Sequence, residues 1–154
     1  MRTSFDTDDN TPEAVAWREQ AIALFPNGGT AEERFACLHD IRVRDVVLWE
    51  MTHAEDLDPW FDGLDDALIA GPEEDSAPVA TVLAILLWML EDPRWALLTV
   101  STVLCRVDPD YSLGRLVAQA ISGGMPVSEF VDATQQLTRH QCLHGLAYAG
   151  QVSA

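Results

Sequence analysis

The residues best able to ligate a metal stand near the end of the chain, as His140-x-Cys142-x-His144, with Cys37-x-His39 as a distant second pair. An i,i+4 spacing puts His140 and His144 on one helix face, as paired zinc ligands lie. Cys142 then points to the opposite side, and no Glu between the histidines is available as a base. So loose a motif reads as side chains at a core edge or an interface, and neither a metal nor another cofactor is assigned. Carboxylates are plentiful, but no two stand out as facing each other across a pocket for general acid–base work. The run Asp56–Asp66 lacks the Gly and the closing Glu that a calcium-binding loop places at fixed positions. No Ser occupies a GxSxG elbow. Cys105 falls within an apolar run, where a thiol is expected to be buried and inert. Gly28-Gly29 is no phosphate loop, because no GK[ST] follows and no strand precedes it. No catalytic residue is assigned, and the chain reads as non-enzymatic, a metal-dependent or hydrolytic enzyme being the alternative.

What remains is charge. The 154 residues carry a formal net charge of -16, and all nine cations are Arg, which points to a GC-rich coding background. Residues 1–77 hold 19 Asp and Glu against 5 Arg, whereas residues 78–154 hold 6 against 4. No cation lies between Arg44 and Arg94, while Glu50 to Asp75 supplies ten carboxylates. Such a balance excludes direct binding to nucleic acid or to an anionic membrane, both of which need basic patches. It suits a basic protein partner instead, and Asp56, Asp58, Asp62, Asp65, Asp66, Glu73, Glu74 and Asp75 are the candidate partner-binding residues. A face that only solvates the protein is the plain alternative, and a self-associating homodimer is a third reading.

The elements that would position these residues are helical. Thr11-Pro12 opens a helix to about Phe25. Thr30 and Glu33 form a capping box before a second helix, and Asp40 caps a third over Ile41–Ala54. Asp58-Pro59 starts a fourth, to about Ala70, with Trp60, Phe61, Leu64, Ala67 and Leu68 on one face and Asp62, Asp65 and Asp66 on the other. Pro78–Glu91, Pro93–Val107 and Pro109–Ser122 follow, the last stopped by Gly123-Gly124. The first two of these are apolar almost all round and are expected to be buried. A final helix runs from Pro126 or Ser128 to Gly145 or beyond. Arg44 falls in the apolar stripe of the third helix, so it needs a buried partner, and a structural ion pair between helices is expected. Asp45 is expected to point elsewhere.

Together these features predict an all-α, single-domain bundle of about seven helices around a central apolar hairpin. Residues 1–10 read as a flexible acidic segment, 11–147 as the domain and 148–154 as a tail. Three cysteines without pair spacing read as reduced thiols, the acidic opening MRTSFDTDDN reads as no signal peptide, and no apolar run is expected to span a bilayer. A cytoplasmic protein is expected.

The stretch Asp108-Pro109-Asp110-Tyr111-Ser112-Leu113-Gly114-Arg115-Leu116, followed by Gly124-Met125-Pro126, resembles the C-terminal helical part of an actinobacterial domain-of-unknown-function family. Trp88 and the Arg44-Asp45 pair fit the same pattern, so that the resemblance spans roughly residues 41–127. Leu97, Leu98 and Leu104 depart from it, standing where small Ala residues are expected. It implies a helical fold and an actinobacterial or phage origin, and no activity. One helical pair is also similar to a tetratricopeptide unit, but about three are needed to build a solenoid. The leading function is protein–protein interaction, as an acidic adaptor or inhibitor of a basic, nucleic-acid-binding partner, with DNA mimicry as one specific form.

Overall fold

Side-chain caps set most of the helix starts. Thr11 accepts from the Ala14 amide, Thr30 and Glu33 close a reciprocal capping box, Asp40 accepts from the amides of Arg42 and Val43, and Asp92 accepts from Trp95. Each satisfies amides that the first helical turn leaves free. A computed structural model describes residues 5–26 and 28–145. Among these residues it contains nine α-helices and no strand. They are α1 Pro12–Ile22, α2 Ala31–Cys37, α3 Ile41–His53, α4 Asp58–Ala70, α5 Ala77–Met89, α6 Pro93–Arg106, α7 Ser112–Ser122, α8 Val127–Gln135 and α9 Arg139–His144. A single 3₁₀ turn, Glu73–Asp75, joins α4 to α5.

The centre of the bundle is α5, with ten of its thirteen residues buried. It packs against α6, α4, α7, α3 and α8, while α2 lies on α4 and α1 and α9 lie on α3. One core joins Val43, Val46 and Val47 of α3 to Leu64 of α4, Val82, Ile85 and Leu86 of α5 and Val100 of α6. Each such side chain contributes about 1.5–3 kcal/mol of burial, which far exceeds what helix propensity supplies to segments this short. Arg139 ties α9 across the bundle, donating to Glu19 of α1 and to Glu50 of α3.

Four expectations are corrected. The second apolar run is not buried all round: α6 buries only Ala96, Val100 and Val103, and leaves Trp95 60% and Leu98 54% exposed. Cys105 lies on this outer side and is exposed, not buried. α7 begins at Ser112 and not at Pro109. Asp108 turns its carboxylate onto the Asp110 amide at 3.0 Å, closing a local turn instead of capping a helix. The last helix is two helices. Leu137 O accepts from Trp49 Nε1 at 2.9 Å, Gln135 Nε2 donates to Thr52 O at 2.7 Å, and Thr138 then forms a fresh capping box with Gln141. Residues 5–10 are held by side chains of the domain. The Phe5 amide donates to Asp40, Arg18 donates to Asp6 O and Arg42 to Thr7 O, and the Phe5 ring lies 5.5 Å from that of Trp17. Residues 1–4 and the expected tail 148–154 lie outside the described residues.

Candidate functional site

The acidic residues occupy the outer side of α4 and its two flanking turns. α4 buries Trp60, Gly63, Leu64 and Ala67. Gly63 is required there, because a Cβ would run into the carbonyl of Pro26. The same close approach lets Gly63 O accept from Arg34 Nε at 3.2 Å. With this side docked, the helical period turns Asp58, Asp62 and Asp66 to solvent, with Asp65 half-buried beside them. Ile69 continues the stripe and is 76% exposed. Asp56 precedes the helix and accepts from the Asp58 amide at 3.0 Å, while Glu73, Glu74 and Asp75 follow it, all exposed. A cation does approach this face. Arg106, remote in sequence, reaches Glu73 from α6 at 3.0 Å, with both side chains largely in solvent. So exposed a pair contributes roughly 0–1 kcal/mol. None of the other seven carboxylates is ion-paired among the described residues.

A groove separates this face from α6. It is bounded by Leu68, Glu73, Trp95, Leu98, Thr102 and Arg106, and encloses about 380 Å³. Acidic and apolar groups therefore border the same depression.

The interior charges are Asp40 and the cations Arg18, Arg34, Arg42 and Arg44, all buried. Arg34 donates to Gly28 O at 2.7 Å as well as to Gly63, fastening α2 to α4 and to the turn before it. Arg18 Nε lies 3.7 Å from Asp40, which itself caps α3. Arg44 donates through Nε and Nη2 to Asp45 Oδ1, at 3.2 and 2.9 Å, and through Nη1 to the Tyr111 hydroxyl at 3.3 Å. Asp45 is thus the ion-pair partner, contrary to expectation, because the guanidinium folds back along its own helix instead of reaching straight across. Burial opposes the charge on Arg44, but Asp45 and Tyr111 outweigh it and raise its pKa. Burial also pushes the Tyr111 hydroxyl up, against the pull of Arg44.

Arg44 and Asp45 stand at the wall of a second cleft, of about 250 Å³, between α3, α7, α8 and α9. Leu48, Leu113, Leu116, Phe130 and Leu137 give it apolar sides. Tyr111 and these leucines were not singled out in the sequence as a site. The signal available was the Asp-Pro-Asp-Tyr-Ser-Leu stretch, which places a phenol and an apolar residue at the head of α7.

Among the described residues the histidine candidates do not assemble with a third ligand. The rings of His140 and His144 lie 4.1 Å apart, centroid to centroid, whereas Cys142 is buried and lines the cleft. Among the described residues no group of three or more His, Cys, Asp or Glu is placed to hold a metal. His140 and burial lower the pKa of His144, burial being the larger cause. Cys37 directs its thiol to Arg34 O at 3.4 Å, and burial pushes its pKa to about 12. Burial likewise pushes Cys142 to about 11. Both are unreactive protonated thiols at neutral pH. His39, exposed, sits between the carbonyls of Ala36 and Asp75 at 3.1 and 3.0 Å.

The family model of a domain of unknown function, DUF4192, matches residues 3–127. The chain belongs to this family. The DUF4192 span takes in α1 to α7, and hence the whole acidic face together with Arg44, Asp45 and Tyr111; it ends at the first residue of α8, and α9 lies beyond it. It also reaches further toward the N-terminus than the stretch that carried the resemblance. No curated protein and no solved structure matches the chain. Among the described residues no helix is long and apolar enough to cross a membrane.

Proposed function

We propose that this DUF4192 chain is a non-enzymatic interaction module that docks a basic protein, such as a nucleic-acid-binding protein, on the outer face of α4. The observation that carries this reading is the stripe Asp58, Asp62, Asp65, Asp66 and Ile69, where carboxylates without counter-charges among the described residues adjoin a large exposed apolar side chain. Like charges held together cost stability by self-repulsion, and a cationic partner removes that cost on binding. Apolar anchors within a polar rim are what a protein interface needs. Ile69 on α4, and Trp95 and Leu98 at the groove beside α6, supply the anchors, and the carboxylates supply the rim. Acting as a cytoplasmic adaptor or inhibitor, the module would compete with nucleic acid for the partner's basic surface.

The test is affinity capture with the wild-type chain and with Asp62→Asn/Asp65→Asn/Asp66→Asn, followed by identification of the retained proteins. A basic protein held by the wild type and lost from the triple variant supports the reading. Identical retained sets refute it.

A further inference from the structure

The cleft between α3, α7, α8 and α9 combines apolar walls with a buried cation that has N–H groups to spare. Arg44 is only 9% exposed. A guanidinium carries five N–H donors. Arg44 spends its Nε–H and one Nη2–H on Asp45 and one Nη1–H on Tyr111, which leaves one N–H on each terminal nitrogen with no acceptor among the described residues. Buried donors without acceptors are costly, and a ligand that accepts from both removes the cost. Asp45 also lines the cleft, but its carboxylate stands between Arg44 at 2.9 Å and Arg42 at 3.7 Å. Two guanidiniums thus flank one carboxylate at this end of the cleft. No carboxylate of the α4 face lines this cleft.

We infer that this cleft binds a small monocarboxylate with an unbranched apolar body, of the medium-chain fatty acid class. The carboxylate accepts from the Nη–H groups of Arg44 that Asp45 and Tyr111 leave over. The hydrocarbon lies on Leu113, Leu116, Phe130 and Leu137. A volume of about 250 Å³ falls at the small end of ligand sites, which excludes a long lipid chain. Two classes of contact thereby select the ligand: the guanidinium selects the charged head and the leucines select the body.

Calorimetric titration with sodium octanoate tests this, with octanol as the probe lacking the charged head and acetate as the probe lacking the body. Arg44→Gln removes the head contact but also a structural pair, so Leu116→Asp is the second variant. Leu116 is 59% exposed, and an aspartate there places a negative charge at the cleft mouth without opening the core. The expected result is saturable binding of one octanoate, at least about tenfold weaker binding of octanol and of acetate, and at least about tenfold weaker octanoate binding by Leu116→Asp with its helical circular dichroism unchanged. Absence of saturable octanoate heat, octanol binding as tight as octanoate, or a folded Leu116→Asp that binds like the wild type would overturn the assignment.

Discussion

Arg44 of α3 and Tyr111 at the head of α7 are 67 residues apart in the chain and meet through a hydrogen bond of 3.3 Å. That bond completes an ion pair made with the adjacent Asp45, so one guanidinium fixes the position of α7 against α3. Arg44→Ala should destabilise the fold by about 2–4 kcal/mol, since it leaves Asp45 short of a partner in a half-buried position. Tyr111→Phe removes a single hydrogen bond and should cost about 1 kcal/mol. Urea unfolding of the single and double variants checks both values. Costs that add without coupling would mean that the two side chains do not act together.

Gly63 tests the packing beneath the acidic face. Its Cα faces the Pro26 carbonyl so closely that an added methyl group must displace α4 or the turn. Gly63→Ala should therefore cost about 1–3 kcal/mol, despite the better helix propensity of Ala. Thermal unfolding measures it, and a stabilised variant would show that α4 docks less tightly.

Much of this was legible in the sequence, for reasons that are local. The Thr30–Glu33 capping box, Asp92-Pro93 and Asp58-Pro59 mark helix starts through atoms a few residues apart. The period of α4 alone turns Trp60 and Leu64 inward and Asp62 and Asp66 outward. What the sequence concealed depends on contacts between distant segments. Leu97, Leu98 and Trp95 are all apolar, so residue type does not reveal which side of α6 is covered. Asp108 has the same chemistry as Asp92 but spends its carboxylate on a turn. The break between α8 and α9 comes from Trp49 and Gln135, and the Arg106–Glu73 pair from helices that become neighbours only on folding.

The buried thiols give the protein an alkaline limit. Burial raises the folded-state pKa of Cys37 to about 12, above its unfolded value near 8.5–9. The unfolded chain then loses its thiol proton first and binds fewer protons than the native one. Stability is full below about pH 8.5 and is lost as pH rises toward about 12, by an amount on the order of a few kcal/mol. Cys142, raised to about 11, acts in the same direction. Urea midpoints at pH 8 and at about pH 10 should fall for the wild type, and less so for Cys37→Ala. An equal fall in both would assign the loss to other groups.

Metal should not be needed for the fold. The purified protein is expected to contain no stoichiometric zinc, and a chelator should leave its melting temperature unchanged. One equivalent of zinc that is lost in His144→Ala would show that His140 and His144 form a site with further ligands.

The acidic face itself makes the most direct test. Replacing Asp62, Asp65 and Asp66 with Asn should raise the melting temperature slightly, because self-repulsion is relieved. The deciding measurement is the affinity of the captured basic partner for the wild type and for the triple variant across a salt series. Wild-type affinity should fall steeply as salt rises through the screening range, and the triple variant should bind more weakly with a flatter dependence. Equal affinities that do not change with salt would contradict it.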